Sequence, residues 1–200
     1  MRGRVGLFGG TFNPPHNAHI LVATNALEQF ELSAVVFVPN GTPPDRPDEP
    51  RPSSEDRLRM VTAAVDGRAR FSVSRVEIDR NGPSYTIDTI RALQDDYSQG
   101  ICFIIGADSL IRVGTWKEPA AVVASVPFIV APREGVPLDA FEREPFDSAS
   151  VHVIDMPEVE VSSTLLREKA QRGESIEAWV PKQVAEYIER NGLYRGARAP

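Results

Sequence analysis

Two of the chain's three histidines, His16 and His19, stand three positions apart and just after a double glycine. The stretch reads Gly6-Leu7-Phe8-Gly9-Gly10-Thr11-Phe12-Asn13-Pro14-Pro15-His16-Asn17-Ala18-His19. Gly9 and Gly10 allow a backbone to approach a ligand closely and to present its N–H groups. Pro14-Pro15 holds the following segment extended, and the two histidines then open a helix whose dipole favours an anion. Such a turn can cradle phosphate. It is not a dinucleotide fingerprint, which needs G-x-G-x-x-G running straight into the helix, nor a P-loop, which needs Gly-Lys-Ser/Thr. Zinc is poorly served as well, because His152 falls on a different strand and no cysteine is near.

Placing those side chains requires a strand before the turn and a helix after it. Residues 4–8 are short and apolar and read as a buried strand entering the glycine turn. Residues 19–30 carry Ile20, Ala23, Leu27 and Phe30 at helical spacing, and residues 34–38 form a second apolar run. Strand, helix, strand predicts a right-handed βαβ unit with parallel strands. Residues 39–52 hold six of the chain's 17 prolines and are expected to form a loop leaving a strand's C-terminal end, where open α/β sheets bind ligands. Ser53-Ser54-Glu55 starts a helix whose apolar stripe is Leu58, Val61, Ala64 and Val65. Residues 71–78 alternate and predict a strand with one wet face. Further helices are expected at 86–93, 120–126, from Ser162-Ser163-Thr164 and over 181–191, with strands at 101–105, 127–131 and 151–156. The expected fold is α/β: a doubly wound, Rossmann-like parallel sheet with a small helical C-terminal portion from about 162. A single domain over 1–194 and a flexible tail at 195–200 complete the reading.

Composition narrows the classes. With 22 Lys+Arg against 28 Asp+Glu the net charge is −6, which argues against a protein that coats nucleic acid. No apolar run reaches the roughly 18 residues of a membrane span. The N-terminal residues lack the apolar core of a signal peptide. The lone Cys102, inside Ile101-Cys102-Phe103-Ile104-Ile105, reads as an inert core thiol. A cytoplasmic location, without membrane or nucleic-acid partners, is expected.

The first turn, as Gly10-Thr11-Phe12-Asn13-Pro14-Pro15-His16-Asn17-Ala18-His19, resembles the signature of the nucleotidylyltransferase superfamily, and Ser162-Ser163-Thr164-Leu165-Leu166-Arg167 resembles its second signature. Within it, residues 5–194 are similar to the bacterial nicotinate-nucleotide adenylyltransferase family. Gly82-Pro83-Ser84-Tyr85-Thr86-Ile87-Asp88-Thr89, Ile105-Gly106-Ala107-Asp108-Ser109-Leu110, Trp116, Val180-Pro181 and Gly192-Leu193-Tyr194 carry that likeness. It implies transfer of the adenylyl group of ATP to nicotinate mononucleotide, giving deamido-NAD and pyrophosphate, with Mg²⁺ bound mainly through the ATP phosphates. Two positions depart from the family: Ala18 replaces a glycine, and Asp45-Arg46 follows Pro43-Pro44 where a basic pair is usual.

The resemblance gives each motif a role. His16, His19 and Arg167 are the expected catalytic residues, donating hydrogen bonds to phosphate oxygens. Gly9, Gly10, Thr11, Phe12, Gly106, Asp108, Ser162, Ser163 and Thr164 join them as the ATP site. Thr11, Tyr85, Thr86, Trp116, Arg133 and Arg46 are expected to bind nicotinate mononucleotide, Trp116 by offering a flat face to the pyridine ring. No protein-held metal is expected, and the chain is a monomer or homodimer. Two other readings stand beside this one: pantetheine-phosphate adenylyltransferase, and a non-catalytic nucleotide-binding paralogue.

Overall fold

The computed structural model describes residues 1–44, 52–133, 135–142, 146, 150–157, 159 and 161–194. The loop residues Asp45 and Arg46, and the tail 195–200, lie outside these. Six strands, β1 (Val5–Gly10), β2 (Ala34–Pro39), β3 (Phe71–Val73), β4 (Ile101–Gly106), β5 (Phe128–Ala131) and β6 (Val151–Val153), form one sheet. Their order is β3-β2-β1-β4-β5-β6, and every pairing is parallel. Strand order reverses between β1 and β4, so a crevice opens beyond their carboxyl ends, at Gly10 and Gly106.

Both faces of the sheet are covered, which explains why its strands read as continuous apolar runs. Phe8, Val35, Phe37, Cys102, Ile104 and Ile129 face one layer, built by α1 (Asn17–Gln29), α2 (Ser54–Val65), α6 (Ser163–Gln171) and α7 (Lys182–Arg190). Their chain neighbours Leu7, Val36, Val38, Phe103, Ile105 and Val130 face the other, built by α3 (Thr86–Leu93), α4 (Ala107–Leu110) and α5 (Pro119–Ser125). Alternate residues of a strand point to opposite faces, so each strand feeds both cores. Burying each aliphatic side chain contributes about 1.5–3 kcal/mol.

The expected fold class holds, and the elements differ from expectation mainly at their ends. Alternation across 71–78 predicted one long strand, but β3 stops at Val73, where its pairing with Phe37 of β2 ends. The chain then turns: the N–H groups of Ile78 and Asp79 both donate to Arg75 O, and the Arg75–Asp79 ion pair closes the turn. A period of two without a neighbouring strand to pair with cannot sustain a strand. The strand expected over 151–156 likewise shortens to β6, an edge strand. The first helix begins two residues earlier than expected, at Asn17, with His16 as its N-cap.

Candidate active site

A cleft of about 650 Å³ lies along the carboxyl ends of the strands, and it gathers both signature motifs. His16 and His19 face each other at the start of α1 with ring centroids 3.7 Å apart, stacked at 26°. The backbone N–H of His16 donates to His19 Nδ1 at 3.1 Å. A neutral imidazole that accepts at Nδ1 carries its proton on Nε2, so His19 keeps one N–H donor. Burial pushes the His16 ring down to about 4, aided by the charge of Arg133. Burial, His16 and Arg133 push His19 well below its ordinary value. Both rings are therefore neutral at pH 7, and Nδ1 of His16 has no hydrogen-bond partner among the described residues.

Phe12, expected at the ATP site, lines the cleft and backs His19. It is 2% exposed, packs against His19 at 5.0 Å, and adopts φ +50°, a left-handed conformation that costs a non-glycine residue energy. The glycines before it serve packing as well as close approach. A Cβ on Gly9 would meet the Phe103 ring at 2.8 Å, and one on Gly10 would meet the Phe12 ring at 3.1 Å. At the end of β4, a Cβ on Gly106 would lie 2.6 Å from the Asp108 carboxylate, which is exposed toward the cleft.

The second signature is tied directly to the first. Ser162 caps α6 by accepting the Leu165 N–H, while Ser163 donates its hydroxyl to Pro14 O at 2.9 Å. Arg167 donates to Asn13 O at 3.0 Å and to Thr164 Oγ1 at 3.2 Å. Of the three hydroxyls, Ser163 spends its proton within the protein. Ser162 and Thr164 accept hydrogen bonds from Leu165 N–H and Arg167. Arg133, expected with the pyridine-nucleotide residues, stands where its charge acts on both histidines and donates to Val159 O at 3.5 Å.

Tyr85 and Thr86 line the same cleft from the other face of the sheet and form the N-terminus of α3, leaving backbone N–H groups unpaired by the helix. Trp116 is half-buried beside them, lines the cleft and packs against the second core. Lys117, which the motifs did not single out, lies 5.0 Å over the Tyr85 ring and pairs with both Asp88 oxygens at 3.0 Å.

Other residues escaped the sequence reading. Arg57 is 1% exposed and donates to Thr11 O, Asn40 Oδ1 and Gly41 O at 2.8–3.0 Å. Its signal was present: it stands in phase with Met60, Val61 and Ala64 on the buried stripe of α2, where a charge needs a partner. Glu77, also buried, lines the cleft and accepts the Thr89 hydroxyl at 2.6 Å. Burial raises its pKa, against the pull of Thr89, Ser84, Arg80 and Arg57. Nothing in the alternating pattern of 71–78 marked Glu77 as different from a solvated charge.

Residues 7–169 match the cytidylyltransferase-like family. A protein of Geobacillus thermodenitrificans, named a probable nicotinate-nucleotide adenylyltransferase, is 41% identical over 98% of this chain and 88% of its own. One of Salinibacter ruber with the same name is 40% identical over 96% of this chain and 97% of its own. The fold is also that of the Plasmodium falciparum nicotinic acid mononucleotide adenylyltransferase complexed with NaAD, at a TM-score of 0.78 and 17% identity over 96% of this chain and 98% of that one. Both signatures converge on one cleft, and the likeness runs over nearly the whole chain: it belongs to the nicotinate-nucleotide adenylyltransferases, within the cytidylyltransferase-like family.

Proposed function

We propose that the protein transfers the adenylyl group of ATP to nicotinate mononucleotide, releasing pyrophosphate and forming deamido-NAD in NAD biosynthesis. The observation that carries this is one cleft lined from both faces of the sheet. From one face come the neutral histidine pair and the N-terminus of α6, and from the other the N-terminus of α3 and Trp116.

A phosphate oxygen of the mononucleotide attacks the α-phosphorus of ATP, and the bond to the β-phosphate oxygen breaks. The nucleophile is already an anion and pyrophosphate leaves readily, so no covalent enzyme intermediate is needed. The chain aligns the two phosphates and neutralises charge building on the α-phosphate. His19 Nε2–H, with His16 beside it, supplies neutral donors; a neutral donor adds no counter-charge that would hold the product. Arg167, fixed by Asn13 and Thr164, places a cation where the leaving phosphates gather. Tyr85, Thr86 and Trp116 hold the pyridine end through helix N–H groups and ring stacking.

The donor set fits magnesium carried in on the ATP phosphates. Among the described residues no group of three His, Cys, Asp or Glu could cage an ion, and Asp108 offers one carboxylate at the cleft. When bound, the ion spreads the charge of the departing pyrophosphate. Among the described residues no helix is long and apolar enough to cross a membrane. With two water-soluble substrates, we place the enzyme in the cytoplasm.

Purified protein with ATP and magnesium tests the reading. Pyrophosphate release with nicotinate mononucleotide, and not with phosphopantetheine, is the expected result. Release with phosphopantetheine alone, or with neither, would overturn it.

A further inference from the structure

Arg57 is the one fully buried arginine among the described residues, and it reaches the cleft only through others. Its Nη1 donates to Thr11 O at 3.0 Å and to Asn40 Oδ1 at 2.8 Å, and its Nη2 donates to Gly41 O at 2.8 Å. Asn40 in turn donates from Nδ2 to Thr11 Oγ1 at 3.1 Å. A guanidinium has donors only. The amide atom facing it must therefore be the oxygen, so the amide nitrogen must face Thr11. The Thr11 hydroxyl accepts from that nitrogen, and its own proton is directed elsewhere. Thr11 and Asn40 both line the cleft beside the histidine pair.

We infer that Arg57 is a positioning residue that sets the direction of a hydrogen-bond relay, fixing the Thr11 hydroxyl as a donor to a substrate phosphate. The inference rests on the adenylyl-transfer reading for the identity of that phosphate. A neutral side chain at position 57 would leave the Asn40 amide able to rotate. With its oxygen toward Thr11, Asn40 would take up the hydroxyl proton, and an acceptor would then confront an anion. Burying a cation among apolar residues is costly unless its hydrogen bonds are satisfied, and a methionine would fill the α2 stripe at lower cost. A fixed donor polarity at Thr11 supplies a reason for the charge that packing does not.

The test is a double-mutant cycle, which isolates coupling between neighbours. Arg57→Met, Thr11→Val and the double variant are compared in kcat/KM and in calorimetric affinity for ATP and for nicotinate mononucleotide. Each single change is expected to lower kcat/KM about 30–100-fold, toward the effect of losing one oxyanion donor. In the Thr11→Val background Arg57→Met should cost less than about threefold more, because the relay no longer has an end. A purely structural arginine would give multiplicative losses in rate and in both affinities, and that result would overturn the inference. Should Arg57→Met not melt cooperatively, Arg57→Gln, which also removes the charge and the obligatory donors, replaces it in the same cycle, with the same two outcomes. Wild type that binds the nucleotides but releases no pyrophosphate defeats the proposed reaction, and the affinity cycle then judges the relay alone.

Discussion

A neutral imidazole gives one donor and one acceptor, and in this protein the acceptor of His19 is spent on the His16 backbone N–H. Its remaining Nε2–H is the group a His19→Ala variant removes. That variant should melt cooperatively yet lose roughly a hundredfold in kcat, the loss expected for one transition-state donor; pyrophosphate release and thermal melts separate the two effects. If His19 served only to cap α1, stability would fall and turnover would survive. His16 makes a pH prediction. Its pKa drops on folding from 6.5 to about 4. Above pH 6.5 the ring is neutral in both states and contributes nothing to pH dependence. Between 6.5 and 4 the unfolded chain takes up a proton that the native ring refuses, so stability falls through that window. The contribution is about 3 kcal/mol at its full extent, from 1.36 kcal/mol per pKa unit. Melts of wild type and His16→Asn across pH 4–7.5 should show wild type losing its relative advantage toward the acid end; parallel curves would refute it.

Elements fix these residues by being tied to one another across long stretches of sequence. Tyr194, just beyond α7, donates its hydroxyl to Asn13 Oδ1 at 2.7 Å, and Asn13 O accepts from Arg167. Tyr187 on α7 donates to Asp56 at the start of α2 at 2.8 Å. The C-terminal helices thus clamp the first turn rather than decorate the sheet. Tyr194→Phe leaves Asn13 Oδ1 buried without that donor and should cost about 1–2 kcal/mol. The melting midpoint should fall by roughly 2–6 °C. Because Asn13 carries Arg167, kcat should drop as well, while KM for the mononucleotide stays near wild type; an unchanged kcat would show that the clamp is dispensable for catalysis.

At the scale of the whole molecule, two helix N-termini reach one cleft from opposite faces of the sheet, α6 with the histidines and α3 with Trp116. The two substrates should therefore be separable by mutation. Trp116→Ala should raise KM for nicotinate mononucleotide about tenfold and leave KM for ATP within about twofold, since stacking binds the ground state and the transition state alike. Steady-state kinetics with each substrate varied in turn checks this. Equal effects on both would place Trp116 in packing instead.

The sequence alone determined the fold class, because apolar runs separated by amphipathic segments have one economical solution, a parallel sheet covered on both faces. It also marked His16, His19, Ser162, Thr164 and Arg167, since their motifs are local and a local pattern survives in the chain order. It misjudged 71–78, whose alternation is equally consistent with a strand and with the turn that buries Glu77. Whether such a segment stays extended depends on how far β2 runs beside it, which is a long-range fact. Arg57 shows the same limit more sharply. An arginine in phase with a helix's buried stripe signals that it needs partners, but not which ones: the three acceptors, from residues 11, 40 and 41, converge on it from outside its helix. Hydrogen-bond satisfaction of a buried charge is decided by what the tertiary structure brings together, and no spacing within α2 encodes it.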